Sequence, residues 1–143
     1  MPERLRVAVI AGGDSAEAEV SRSSAAEVAE ALTSSHHVTV YELDRTLTGK
    51  LVAEAPDVVF PVLHGPPGED GTVQGYLEIL GLPYVGSDVR GCAVAMDKHV
   101  AKELFRRAGL PVLDDLIFTR DEQADAPERV LERFGDRVVI KPL

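Results

Sequence analysis

The chain has 143 residues, 45% hydrophobic and 27% charged, a composition that supports one ordinary folded domain with its own core and excludes a disordered polymer. Fifteen basic against 24 acidic residues leave a net charge of −9 with no Lys/Arg cluster to offset it, so nucleic acid is set aside as a partner. The single cysteine, Cys92, excludes an internal disulfide and a thiolate metal cluster; the opening MPERLRVAVIAGGDSAE does not read as a secretory leader, no stretch approaches the ~20 apolar residues of a membrane span, and a cytoplasmic location is expected.

LRVAVIAGG is a short apolar run rich in β-branched residues that ends in two glycines, and reads as a buried first strand. Ala25, Val28, Ala29 and Leu32 follow at helical spacing, predicting a helix from about Ala18 to Leu32. HVTVYEL is a second strand, Leu47 to Ala55 a short helix, and DVVFPVL a third strand, with Pro61 favouring a place near its end. Val73, Tyr76, Leu77 and Leu80 mark a helix that Gly81 ends, and LPYVG reads as a brief fourth strand. Ala101, Leu104, Phe105 and Ala108 mark the next helix, with Asp97 as N-cap and Gly109 as its stop. Asp115 to Thr119 suits a strand. In DAPERVLERFG, Asp125 and Glu128 have capping-box spacing and Pro127 suits a first turn. RVVIKPL closes the chain as a last strand. Alternating strands and helices predict an α/β fold, a Rossmann-like three-layer sandwich with a mostly parallel sheet whose ligands bind beyond the carboxyl ends of the strands.

Four polar features fall at those ends: GGDSAE, HGPPGEDG, Asp97-Lys98 and Lys141. In GGDSAEAEVS, Gly12 and Gly13 permit a tight turn that exposes amides at a helix start, where an anion is favoured, while Asp14 and Glu17 have capping-box spacing of their own. Glu17 therefore has two readings, a helix support and a ligand. In HGPPGEDGTVQG, four glycines and two prolines predict a shaped loop. His64 follows a buried strand and sits at the ligand edge, as a hydrogen-bonding imidazole or a structural one; Glu69 and Asp70 read as supports of the next helix. Lys98 and Lys141 are point charges suited to phosphate oxygens or to plain solvation. His36, His37, Cys92 and His99 lack metal-ligand spacing, so no metal site is expected from the residues themselves.

These motifs together resemble the N-terminal part of the D-alanyl-D-alanine ligases, members of the ATP-grasp superfamily. HGPPGEDGTVQG fits the family signature over its whole length, and GGDSAEAEVS, GLPYVGS, AMDKHVAK and VVIKP match further family segments in order. The resemblance implies that one D-alanine carboxylate attacks the γ-phosphate of ATP to give an acyl phosphate, which the amine of a second D-alanine opens with release of phosphate, a step of peptidoglycan precursor synthesis. Carried over by position, Glu17 is the catalytic-site residue holding the first ammonium group, and His64 and Val20 line the same pocket. Lys98 and Lys141 reach ATP phosphates. The resemblance also implies Mg²⁺ or Mn²⁺, a homodimer, a substrate domain over residues 1–120 and the start of a nucleotide-binding domain over 121–143. D-alanine, D-serine and D-lactate stay open as second substrate. In the family a Gly/Ser-rich loop and the metal ligands follow Lys-Pro, so the chain is expected to be a fragment of a ligase, inactive alone.

Two other classes compete. A phosphoacceptor receiver has the same alternation and a Lys-Pro, but needs acids after the first strand and an aspartate ending the third, where this chain has Ala11-Gly12-Gly13 and His64. A nucleotide-binding module of the dinucleotide kind lacks its GxGxxG here, and no acid is expected to end the second strand.

Overall fold

The computed structural model describes residues 3–141. Its packing divides the chain between Met96 and Asp97 into two compact units.

The first unit is built on β1 (Arg6–Ala11), whose residues alternate between two buried faces. Ala8 and Ile10 pack with Tyr41, Leu47, Leu51, Val59, Leu63 and Leu77, while Val7, Val9 and Ala11 pack with Ala25 on the other side. A strand covered on both faces has no solvated side to make polar, so it reads as a continuous apolar run. β2 (His37–Glu42) and β3 (Val58–Pro61) pair with it in parallel in the order β2-β1-β3, Arg6 facing His37 and Val7 facing Val58. α1 (Ala18–Thr33) covers the face of Val7 and Val9; α2 (Leu47–Glu54) and α3 (Thr72–Ile79) cover the other. Leu51 and Leu77 are fully buried there, each worth about 1.5–3 kcal/mol. The α/β reading with a parallel sheet holds, and these helices begin and end within a residue or two of expectation.

Several expected elements differ. LPYVG makes only an isolated bridge, Tyr84 to Val59, with Val85 N–H on the Val59 carbonyl at 2.9 Å. Gly86 cuts the run short before a second pair forms. α4 (Val89–Met96) was not expected, because RGCAVAM carries no clear apolar stripe and buries no residue. α1 has no capping box: it begins at Ala18, so Asp14 lies outside it and Glu17 itself becomes the N-cap, without a side-chain cap bond.

In the second unit, α5 (Lys98–Arg107) starts as expected, Asp97 accepting from the amides of His99 and Val100 at 3.0 Å each. The strands expected at 115–119 and 137–143 are absent from the described residues of those segments, and Pro142 and Leu143 lie outside the described residues. A strand needs a neighbouring ladder, and no strand of this unit among the described residues supplies one; Val139 and Ile140 are 82% and 89% exposed. The box expected at Asp125 does not form either, since Asp125 is already in helical conformation before α6 (Ala126–Phe134). A capping box forms instead between Thr119 and Glu122, around a 3-10 turn at Arg120–Glu122. Ion pairs of Lys102 and Arg106 with Asp115, and of Arg133 with Asp114, tie the irregular segment to the two helices.

Candidate functional site

β1 and β3 are neighbours, but the chain leaves β1 over one face through α1 and enters β3 from the other through α2. The connections beyond their carboxyl ends therefore diverge and leave a crevice, the place where open parallel sheets bind ligands. Two glycine-bearing loops border it.

The first loop is pinned from three directions. Gly12 N–H donates to Ser21 Oγ at 2.8 Å, and the Ser21 hydroxyl in turn donates to the Val62 carbonyl. Ser21 is fully buried on the α1 stripe of Ala18 and Ala25, so one hydroxyl joins the end of β1, the helix and the residue after β3. Gly13 N–H donates to Glu42 Oε1 at 3.0 Å. Glu42 corrects the expectation that no acid ends the second strand. Pairing stops at Ala11 with Glu42 because β1 turns away at Gly12, so the strand ends on the glutamate and not on Leu43. Its carboxylate is not left for a ribose, however: Arg22 holds it at 2.6 and 3.1 Å. The Arg22 hydrogen bond, helped by the Gly13 amide and opposed by partial burial, keeps the Glu42 carboxyl below the usual carboxylate range. Glu42 thus stays ionised at neutral pH.

The second loop, 62–71, is shaped by its own acids. Glu69 Oε2 accepts from Gly65 N–H at 2.9 Å, and Asp70 Oδ1 accepts from Thr72 N–H at 2.9 Å where α3 begins. Gln74, 7% exposed, reaches back to donate to the Gly68 carbonyl at 2.9 Å. The expectation that Glu69 and Asp70 support loop and helix therefore holds.

The crevice brings some of the expected residues together. A Cβ built on Gly65 would stand 3.0 Å from Glu17 Oε2, so the carboxylate of the first loop rests against the backbone of the second, next in sequence to His64. His64 Nδ1 lies 4.0 Å from Glu69 Oε1, and its Nε2 is shielded from solvent without a partner. Ser15 Oγ is in the same condition. An unmatched shielded polar atom costs about 1–3 kcal/mol, so each is a place where a water or a ligand can complete the set. Val20, on the first turn of α1, is 57% exposed. Chemically, Glu17 offers an anion without a capping task, His64 and Ser15 offer unmatched hydrogen-bonding atoms, and Val20 offers an apolar wall.

Ser15, Ser21 and Glu42 were not singled out from the sequence. Both serines stand in GGDSAEAEVS, the segment that resembles the family's first loop, and Ser21 also sits on a helical stripe of small buried residues at positions 18, 21 and 25; Glu42 carried no signal. Lys98 and Lys141 belong to the second unit, and both are exposed. Lys98 opens α5, where a cation opposes the positive end of the helix dipole. Among the described residues no group of three His, Cys, Asp or Glu could hold a metal ion, and no helix is long and apolar enough to cross a membrane. Burial pushes the Cys92 thiol up, away from reactive thiolate. A groove of about 310 Å³ opens at the opposite, amino end of the strands beside Arg6, His37 and Tyr41. Its Arg6 is already paired with Asp57 at 3.0 Å, and both glycine-bearing loops lie at the other end, so the crevice is the stronger site.

A family model described as the D-ala D-ala ligase N-terminus matches residues 44–87. The D-alanine–D-alanine ligase of Moorella thermoacetica is 44% identical over 142 residues, covering 96% of this chain and 46% of the relative. That of Syntrophobacter fumaroxidans is 47% identical over 143 residues, covering 98% and 45%. Among solved structures, the D-alanine–D-alanine ligase from Coxiella burnetii matches with a TM-score of 0.76 at 32% identity, over 92% of this chain and 50% of that one. The Bacillus anthracis D-alanine–D-alanine ligase complexed with ATP matches with a TM-score of 0.66 at 30% identity, over 90% and 55%. The chain spans about half the length of the relatives it matches.

Proposed function

We propose that this chain, which corresponds over nearly all its length to the N-terminal part of the D-alanine–D-alanine ligases, holds the first D-alanine of an ATP-dependent ligation. The observation that carries the reading is the crevice between β1 and β3, with the Glu17 carboxylate against Gly65 and the unmatched Nε2 of His64 beside it. A small zwitterion suits those groups. Its ammonium pairs with Glu17, His64 completes a hydrogen bond to it, and Val20 packs on its methyl group. Its carboxylate is then presented for phosphorylation, which turns a poor acyl donor into an acyl phosphate that an incoming D-alanine amine opens, expelling phosphate. What the protein adds is chiefly position and charge.

In this reading Lys98 and Lys141 contact ATP phosphates, and residues 121–143 open the nucleotide-binding part. Among the described residues no group of three His, Cys, Asp or Glu fits the divalent cation of such a ligase. The receiver and dinucleotide alternatives are not favoured, since every relative named above is a ligase. The same resemblance carries a cytoplasmic homodimer with it.

The direct test is phosphate release by the full-length protein given ATP and D-alanine; D-alanine-independent turnover, or none, would overturn the reading. The 143-residue chain alone is expected to release none. For the lysines, Lys98→Ala and Lys141→Ala in the full-length protein should each raise the Michaelis constant for ATP by roughly 10- to 100-fold, the loss of a hydrogen bond to a charged group, while that for D-alanine moves little. Unchanged Michaelis constants and turnover would return the lysines to the solvated surface.

A further inference from the structure

We infer that Glu42, clasped by Arg22, is a positioning residue for Glu17: it fills the first glycine loop with the protein's own anion and so fixes the loop that presents Glu17 to the substrate. This rests on the reading of Glu17 as the ammonium ligand.

The geometry is specific. A Cβ built on Gly12 would fall inside the Glu42 carboxylate, so that carboxylate occupies the space directly over the glycine pair. Its Oε1 takes the Gly13 amide at 3.0 Å, and Arg22, one turn into α1, holds Oε1 at 2.6 Å and Oε2 at 3.1 Å. Glu19 engages the same guanidinium from the helix. The contacts therefore close a ring: end of β2, loop after β1, first turns of α1. Glu17 is the residue at which that loop becomes helix, and it has no cap bond of its own to hold it. Loop and helix start can shift together only by breaking a charge-assisted, two-armed pair.

The second consequence concerns ligand choice. Glycine amides ahead of a helix ordinarily attract phosphate. Here the Gly13 amide is already taken by a carboxylate and the Gly12 amide by Ser21 Oγ, so this loop repels a free anion and is left to serve an ammonium through Glu17. Chemically, Glu42 separates the amino-acid site from any phosphate site.

The test uses two readouts. In the full-length protein, Glu42→Ala should raise the Michaelis constant for the first D-alanine about tenfold with that for ATP unchanged, and Glu42→Gln, which still accepts from Gly13, should restore most of the loss. A Glu42→Ala variant that melts lower but binds D-alanine normally overturns the positioning role. Independently of ligase activity, ¹⁵N–¹H spectra titrated with inorganic phosphate should leave the Gly13 amide still in the wild type and move it saturably in Glu42→Ala, which frees it. A Gly13 amide that stays still in the variant, or moves in the wild type, overturns the filling role. A wild type that fails to ligate D-alanine brings down the functional reading alone, and the amide titration then decides what Glu42 does.

Discussion

Glu17→Gln in the full-length protein should raise the Michaelis constant for the first D-alanine, or lower turnover at that site, by more than about tenfold while the melting temperature barely moves. Glutamine keeps the shape of glutamate and part of its hydrogen bonding but cannot neutralise an ammonium group. Glu17 is exposed in the free chain, and losing a charge-assisted bond that bound substrate would shield from water costs about 2–5 kcal/mol. Were Glu17 only a support for α1, the change would cost about 0.3–1 kcal/mol of stability with kinetics intact. The structure makes the two outcomes easy to separate, because Glu17 is the N-cap of α1 yet its side chain makes no cap bond, and its Oε2 lies against Gly65 instead. Steady-state kinetics and thermal melts on wild type and variant are the measurements. A lower melt with normal D-alanine use would end the substrate-binding role.

Gly71→Ala should be strongly destabilising. Gly71 has φ +95°, and a Cβ there would stand 2.7 Å from the Val89 carbonyl oxygen, a backbone atom that cannot swing aside. Left-handed strain of roughly 1–2 kcal/mol and overpacking of about 1–3 kcal/mol act together. A loss of about 2–5 kcal/mol lowers the melting temperature by some 10 °C or more in a unit of this size. Gly81→Ala is the control. Its φ is +68°, but nothing lies within 4 Å of the added methyl, so only the conformational cost of about 1–2 kcal/mol remains. Equal melts for the two variants would remove the steric account of why the signature carries glycine at position 71.

What could be read along the chain was whatever local chemistry decides. The buried strand RVAVIA, the stripe of α1, the Asp97 cap and the stops at Gly81 and Gly109 depend on residues within a few positions of one another, and each is where the pattern put it. HGPPGEDGTVQG was likewise legible as a shaped loop at a strand end, since glycine and proline restrict or free the backbone wherever they stand.

Tertiary structure decided the rest. Apolar runs at 115–119 and 137–140 have strand composition, but a strand exists only by pairing, and whether a neighbour is present is not written in the run itself. Capping spacing at Asp14 failed because α1 begins farther on, at Ala18, and at Asp125, the N-cap of α6, because that residue is already in helical conformation and its side chain makes no cap bond. The clasp on the glycine loop joins Gly13, Arg22 and Glu42, and the Ser21 hydroxyl joins Gly12 to Val62. No local spacing encodes either set. They meet because three parallel strands end at one edge in the order β2-β1-β3, which brings segments 20 to 41 residues apart within reach of a single side chain.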